Sequence, residues 1–533
     1  MIIKFIFILF CLISCCLADG NNTNILETFK PLPETPKNTT RYYTLVLDKT
    51  LLAPDGYNRT VLTINGQYPG PIIFANIGDK LVITVVNRLE VPSSVHWHGI
   101  DQVGTNWYDG VPGVTQCLIQ PGVSFTYTFT LFQSGTYWYH SHYRGQLLDG
   151  LRGPLVIFDP ADPNKSLYDQ EYAMTLGDWY HFATDTPQFS NASDPFPDSA
   201  EISGVGQLNC SIPSCDSSQK YATYKVTKDK KYRFRIINVS AMSHFRVTID
   251  NHPLTIIAID GMSVKPYAVE ILSINIGQRY SVVVTANQAA GNYWIRASIS
   301  PCSGEPPKLV GGILSYDNVS VSNPTSTGYS SQTDDCRDPD DSVLQPYPLS
   351  PSVPQDKNIT QLKLEINVTF FNDPIHPNGT INNISFIPNY SSPSIKRVID
   401  NVSFVPNDNA YFYYKLNEPV EILLINAENR SHPFHLHGHT FWIVARGSKD
   451  NINSINYNFN NPPFRDTATI DPLSYLAIRY YANNPGVWLI HCHIQWHFEM
   501  GMVAQLVEVP DVFKTYTIPQ NVLGLCNQNS SSW

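Results

Sequence analysis

Short runs of apolar and polar residues dominate the chain. Tyr42-Tyr-Thr-Leu-Val-Leu47, Leu81-Val-Ile-Thr-Val-Val86 and Phe125-Thr-Tyr-Thr-Phe-Thr130 are rich in β-branched or aromatic residues and often alternate, as half-buried strands do. Turn pairs such as Asp55-Gly56 and Pro121-Gly122 separate them. The same texture returns at 231–239, 279–285, 362–370, 421–425 and 476–480. With few helical periods between these runs, the expected fold class is all-β, made of sandwiches. Residues 159–169 (DPADPNKSLYD) follow a sandwich-sized block, and 318–358, rich in Ser, Pro, Asp and Thr, lacks apolar periodicity. At 533 residues and a prior of ~150 per domain, three domains are expected: 20–160, 161–320 and 355–533, with 321–354 as a linker or long loop.

The start of the chain breaks this pattern. Lys4 precedes an apolar run from Phe5 to Leu17, and small Ala18 offers a cleavage point, which reads as a secretory signal over residues 1–18. The run is short for a membrane span, and neither a later span nor a lipid-anchor signal is expected, since Asn527–Trp533 is polar. A secreted, extracellular or cell-wall protein follows. The sequons at Asn58, Asn191, Asn358, Asn383 and Asn401 mark candidate glycosylated loops. The net charge of −10, with no basic cluster, argues against nucleic acid and anionic membranes as partners. A small-molecule partner and a monomer are expected.

Secretion makes the cysteines informative. Of ten, Cys11, Cys15 and Cys16 fall in the signal. Seven remain, so one is expected to do something other than pair, and six can form three disulfides in an oxidising compartment.

Fifteen histidines are present, and eight of them form His-x-His pairs: His96/His98, His140/His142, His435/His437 and His491/His493. Residues two apart on a strand point to one face, so each pair can offer two imidazoles to one site. A single such pair is commonly structural. Four pairs, split between the two ends of the chain, point instead to a metal site shared by the first and third domains. His432, Cys492 and His497 can form a His₂Cys set with Met502 as a long fourth ligand, the donor set of a blue-copper electron-transfer site. Cys492 then accounts for the odd cysteine. Because it sits between His491 and His493, one residue of backbone would join an electron-accepting copper to the coppers beyond it. Such a store reconciles donors that give one electron with dioxygen, which needs four.

The segments HWHG at 96–99, WYHSH at 138–142, HPFHLHGH at 432–439 and HCHIQWHFEMGM at 491–502 resemble the four copper motifs of the multicopper oxidases, the laccase and ferroxidase family. The resemblance covers nearly all of the mature chain and implies three cupredoxin-like β-sandwich domains. It also implies four copper ions. The type 1 copper would take His432, Cys492 and His497; the type 2 copper, His96 and His435; the type 3 pair, His98, His140, His142, His437, His491 and His493. His181, His244, His252, His376 and His439 match no ligand position. Cys117 and Cys526 resemble a laccase disulfide. For Cys210, Cys215, Cys302 and Cys336 three connectivities are open, and 210–215 with 302–336 is favoured because each closes a local loop.

The resemblance also marks a proton donor and several departures. Asp109, in NWYDG, resembles the acid placed beside the oxygen-side coppers. A second such acid is usual three residues after the cysteine, where this chain has Gln495; Glu499 lies near in sequence. Met502 at the axial position should lower the type 1 potential relative to the Leu or Phe of many fungal laccases. No acid occupies the usual phenol-holding place, where Met242 stands. Glu428, four residues before His432, matches an acid of yeast ferroxidases, and Glu201 and Asp198 are iron-site candidates only by neighbourhood. Asp109, Glu428 and Cys492 are thus the expected catalytic residues. The leading reading is a laccase-like oxidase of phenolic or other aromatic donors. A secreted ferroxidase is the alternative, and a copper-storing or wall-structural glycoprotein comes third, since storage needs no wired blue site.

Overall fold

The computed structural model describes residues 23–33, 39–184, 195–208, 220–300, 308–328, 337–355, 359–369 and 378–527. The signal segment, His376, and Cys210, Cys215, Cys302 and Cys336 with their expected disulfides lie outside the described residues.

Six sheets stack as three sandwiches. Two four-stranded sheets formed by residues 40–158 make the first; a six-stranded and a seven-stranded sheet, mostly from 170–316, make the second; a six-stranded and a five-stranded sheet from 360–508 make the third. All eight runs read as strands from their patterning are strands. Lys80–Asn87 shows why: its burial alternates strictly, with Leu81, Ile83 and Val85 inward, and it pairs with both Thr40–Leu52 and Ser124–Thr130. One strand crosses between units. Thr23–Leu26 runs parallel to Tyr221–Val226 at the edge of the second sandwich.

The cores explain where a site can form. The apolar core of the first sandwich continues without a break into Val487, Leu489, Val503 and Val507 of the third, so these two units share packed surface rather than touching through a loop. Cys117 and Cys526 are joined by a disulfide (Cα–Cα 5.2 Å), as expected, and fix the short helix Gln520–Leu525 to the first sandwich. Buried ion pairs bind the second unit to the third: Arg465 donates to Asp260 at 3.0 Å, and Arg279 to Asp466 at 2.7 Å. No helix among the described residues is long and apolar enough to cross a membrane.

Candidate metal centre

Two strand pairs carry the histidines. In the first sandwich His96–His98 pairs antiparallel with Gly135–His140, which sets His96 opposite His140. In the third, His432–Leu436 pairs with Gly486–Cys492, which sets His435 opposite His491 and Phe434 opposite Cys492. Strand side chains alternate between faces. His491 therefore points to the seam between the first and third units, while Cys492 points into the third core beside Ile490, Ile494 and Met502.

Eight imidazoles converge at that seam. His96 stacks on His437 with ring centroids 4.1 Å apart, and His98 on His435 at 3.8 Å. His142, His437 and His491 bring ligand atoms within 4.8 Å of one another, and so, separately, do His432, Cys492 and His497. In the second group the Cys492 sulfur lies 3.4 Å from His497 Nδ1 and 3.6 Å from His432 Nδ1. Cys492 is buried and is the one free cysteine among the described residues. Met502 is buried in the same core, its N–H donating to the His497 carbonyl at 2.9 Å.

Hydrogen bonds orient the rings. Five imidazoles donate Nδ1–H to backbone or carboxylate oxygen: His96 to the Asp109 carbonyl (2.7 Å), His140 to Ser141 (2.9 Å), His435 to Asp466 (2.9 Å), His491 to Cys492 (3.0 Å), and His437 to Asp109 Oδ2 (2.9 Å). A neutral ring that donates at one nitrogen carries only a lone pair at the other. His437 Nε2 and His491 Nε2 nevertheless face each other at 3.0 Å, and the Nε2 atoms of His96, His140 and His435 are buried with no hydrogen-bond partner. Lone pairs aimed at one another in a buried space need a cation between them. The donor set thus fits a metal, and buried neutral imidazoles with a nearby thiolate suit copper.

The protonation of these rings agrees. Burial, and then the neighbouring histidines, hold His98, His140, His142, His437 and His493 well below the usual imidazole range, and His491 falls to about 3. A depressed folded-state pKa contributes stability that is intact above the unfolded value of ~6.5 and is lost as pH falls toward the folded value. Metal-free protein should therefore melt at progressively lower temperature as pH drops below about 6.5, and metal-loaded protein should resist this until protons displace the ion. Thermal melts of both forms across pH 4–8 check this.

Asp109 lies between two ligand-bearing elements: besides the His437 contact, its Oδ1 is 3.2 Å from His96 Nδ1. Gln495 lines a cavity of about 10 Å³ with His140, His142, His491, His493 and Phe498, and its amide donates to the Arg144 carbonyl and to Glu499 Oε1, both at 2.9 Å. Burial raises Glu499 to about 7. Glu428 accepts from the Val368 N–H at 2.9 Å. Glu201 is fully buried and bound to Arg152 and Tyr68, and Asp198 accepts from the His181 N–H. His181 pairs with Asp55, His252 with Tyr316 and His439 with Glu508; none of these, nor buried His244, joins a ligand group among the described residues.

Three residues of the site carry no sequence signal. Asp466 Oδ1 lies 3.4 Å from His98 Nε2 and 3.5 Å from His435 Nδ1, and Thr467 Oγ1 is 3.2 Å and 3.1 Å from the same two atoms. Burial opposes the Asp466 charge, but Arg279 outweighs it and holds the carboxyl well below its usual range. The turn at Gly99 (φ +87°) makes room for this pair: an added Cβ would stand 2.7 Å from Arg279 Nη2 and 2.8 Å from Asp466 Oδ2.

Such a fold and ligand set define a copper oxidoreductase with dioxygen as acceptor. Family models described as Multicopper oxidase match residues 47–162, 170–318 and 348–512. The laccase of Trametes maxima is 39% identical over 496 residues, 89% of this chain and 95% of that protein. Among solved structures, the laccase of Botrytis aclada superposes with TM-score 0.85 at 37% identity, over 93% of this chain and 92% of that one. Fet3p, a multicopper oxidase that functions in iron import, superposes with TM-score 0.81 at 28% identity, over 92% and 94%. The chain belongs to the multicopper oxidase family. It is a laccase-like member, and the family implies four copper ions, of types 1, 2 and 3.

Proposed function

We propose that this protein is a secreted, monomeric laccase-like oxidase that takes single electrons from phenolic or other aromatic donors and passes them to dioxygen. In this reading His432, Cys492 and His497 would hold the type 1 copper, with Met502 as a further donor, and His96 and His435 would hold the type 2 copper. His98, His140, His142, His437, His491 and His493 would hold the type 3 pair. Bound copper would supply the one-electron chemistry. The chain's residues do the rest. Cys492 would hold the copper that accepts the electron on the donor side, and its backbone neighbours His491 and His493 face the oxygen side. Asp109 and Asp466 keep the imidazoles oriented with lone pairs inward. The observation that carries this reading is the alternation at the end of the strand Gly486–Cys492: His491 faces the seam, Cys492 faces the third core, and His493, next in the chain, lies 3.1 Å from His98. The exposed sequons Asn58, Asn383 and Asn401 are compatible with a glycosylated secreted protein. A donor panel with oxygen uptake as readout tests the function; methoxyphenols and diphenols should outrun Fe(II).

Ferroxidase activity is the second reading, favoured by Glu428 near His432. One Glu428 oxygen is already committed to the Val368 N–H, which supports a role in holding the loop. Under the laccase reading, Glu428→Ala should leave diphenol oxidation within a few-fold of wild type. A charge-assisted contact to Fe(II) worth ~1.5–3 kcal/mol would instead cost roughly ten- to a hundred-fold in kcat/KM, for Fe(II) alone.

A further inference from the structure

A cavity of about 780 Å³ lies between the three sandwiches. Its wall includes Asp101, Gln133 and Tyr137 of the first unit, Arg233 and Arg235 of the second, and His439, Asp466 and Asn484 of the third. Asp466 is also the residue that touches His98 and His435, so a single residue connects the cavity wall to the oxygen-side histidines.

Asp101 is held rigidly at this wall. Its N–H donates to Gln133 Oε1 at 2.8 Å, and its carbonyl accepts from Asn484 Nδ2 at 2.6 Å. Its carboxyl is not used in these contacts: Oδ1 is buried and has no hydrogen-bond partner. An acid in a closed wall usually finds a guanidinium or several N–H donors. Among the described residues Asp101 has no such partner: Arg233 and Arg235 of the same wall bind Asp162 and Glu171, and Arg279 is taken by Asp466. The charged and titratable groups that act on Asp101 are His439, itself held by Glu508, together with Asp466 and Tyr137.

Resting on the oxidase reading, we propose that Asp101 is the proton-holding group of the three-domain cavity and supplies protons for the reduction of dioxygen. Each dioxygen takes four electrons, drawn from four one-electron donors, and four protons, and leaves as two waters. Asp101 releases its proton into water filling the cavity, which is roomy and polar enough to hold it, and is reprotonated from solvent. Asp466, bound to Arg279, lines the inner end of the path. Two features favour this route. The small cavity beside His140, His142, His491 and His493 is lined by Gln495, whose amide is not an acid, and Glu499, held by that amide, does not line it. Burial, opposed by His439 and aided by Asp466, pushes the Asp101 carboxyl up to about 7, where a group both takes and gives protons near neutrality.

The test uses copper-loaded full-length protein. Infrared difference titration of wild type against Asp101→Asn should isolate a carboxyl band that ionises near pH 7, apart from that of Glu499, which both proteins keep. Stopped-flow recovery of the reduced enzyme with dioxygen, followed across pH, should show the same ionisation. Asp101→Asn should lose the inflection and slow recovery by about tenfold or more, with copper content, blue absorbance and anaerobic bleaching by the donor as in wild type. Asp101→Glu should restore both the inflection and the rate. Unchanged recovery in a copper-replete Asp101→Asn, or a difference titration in which no carboxyl band near neutrality is lost with Asp101, overturns the proposal while leaving the oxidase reading standing. A wild type without blue copper would instead overturn the oxidase reading.

Discussion

Cys492→Ser should be colourless and inactive, yet still bind copper on its oxygen side. The intense blue absorbance of such proteins needs a thiolate ligand, and Cys492 is the one free cysteine among the described residues. Serine is close in size, so the third core, where Cys492 packs with Phe434, Ile490 and Met502, should keep its shape. The eight histidines at the seam do not touch this sulfur in any recorded contact and should hold their metal. Copper analysis should fall from four toward three ions per chain, and donor oxidation should drop below detection. A blue Cys492→Ser protein, or one that still oxidises diphenols, would refute the assignment of the electron-entry site.

Asp109→Asn should separate the two halves of the reaction. His437 Nδ1–H donates to one carboxylate oxygen of Asp109 at 2.9 Å, while His96 Nδ1–H donates to the Asp109 carbonyl at 2.7 Å and lies 3.2 Å from the other carboxylate oxygen. An amide that keeps its oxygen on His437 must turn its NH₂ toward the His96 N–H, and the reverse orientation takes the anchor from His437. Outer partners of metal-bound histidines typically contribute ~10–100-fold in affinity or activity. Anaerobic bleaching by a donor should keep its wild-type rate, because Cys492, His432 and His497 are untouched. Recovery on admitting oxygen should slow by about 10–100-fold. Slow bleaching with fast recovery would place Asp109 on the wrong side of the molecule.

Legibility from sequence followed the spacing of the residues. The His-x-His pairs and the cysteine between two of them are local patterns, and the strand period of two turns each into a statement about faces. The alternation that exposed the strands worked for the same reason. Asp466, Arg279 and Asp101 were silent because they meet only through packing: Asp466 and Arg279 are 187 residues apart and come from different sandwiches. A lone acid beside an arginine in FRDTAT looks like any half-buried strand residue. Glu428 and Glu201 stand out by their position in the chain, and packing adds what spacing does not show: their carboxylates contact the Val368 N–H and Arg152 respectively. The N-terminal strand Thr23–Leu26 was legible as neither strand nor partner, since four residues carry too little pattern to place them in the second sandwich.

The central claim is that electrons enter singly at Cys492 and leave four at a time to dioxygen at the histidine seam. Simultaneous measurement of donor consumed, oxygen consumed and hydrogen peroxide formed tests it most directly. With a one-electron aromatic donor, four donor molecules should disappear for each dioxygen, with no peroxide. A ratio of two with stoichiometric peroxide would show that the eight histidines do not act as one four-electron site, and would contradict this account.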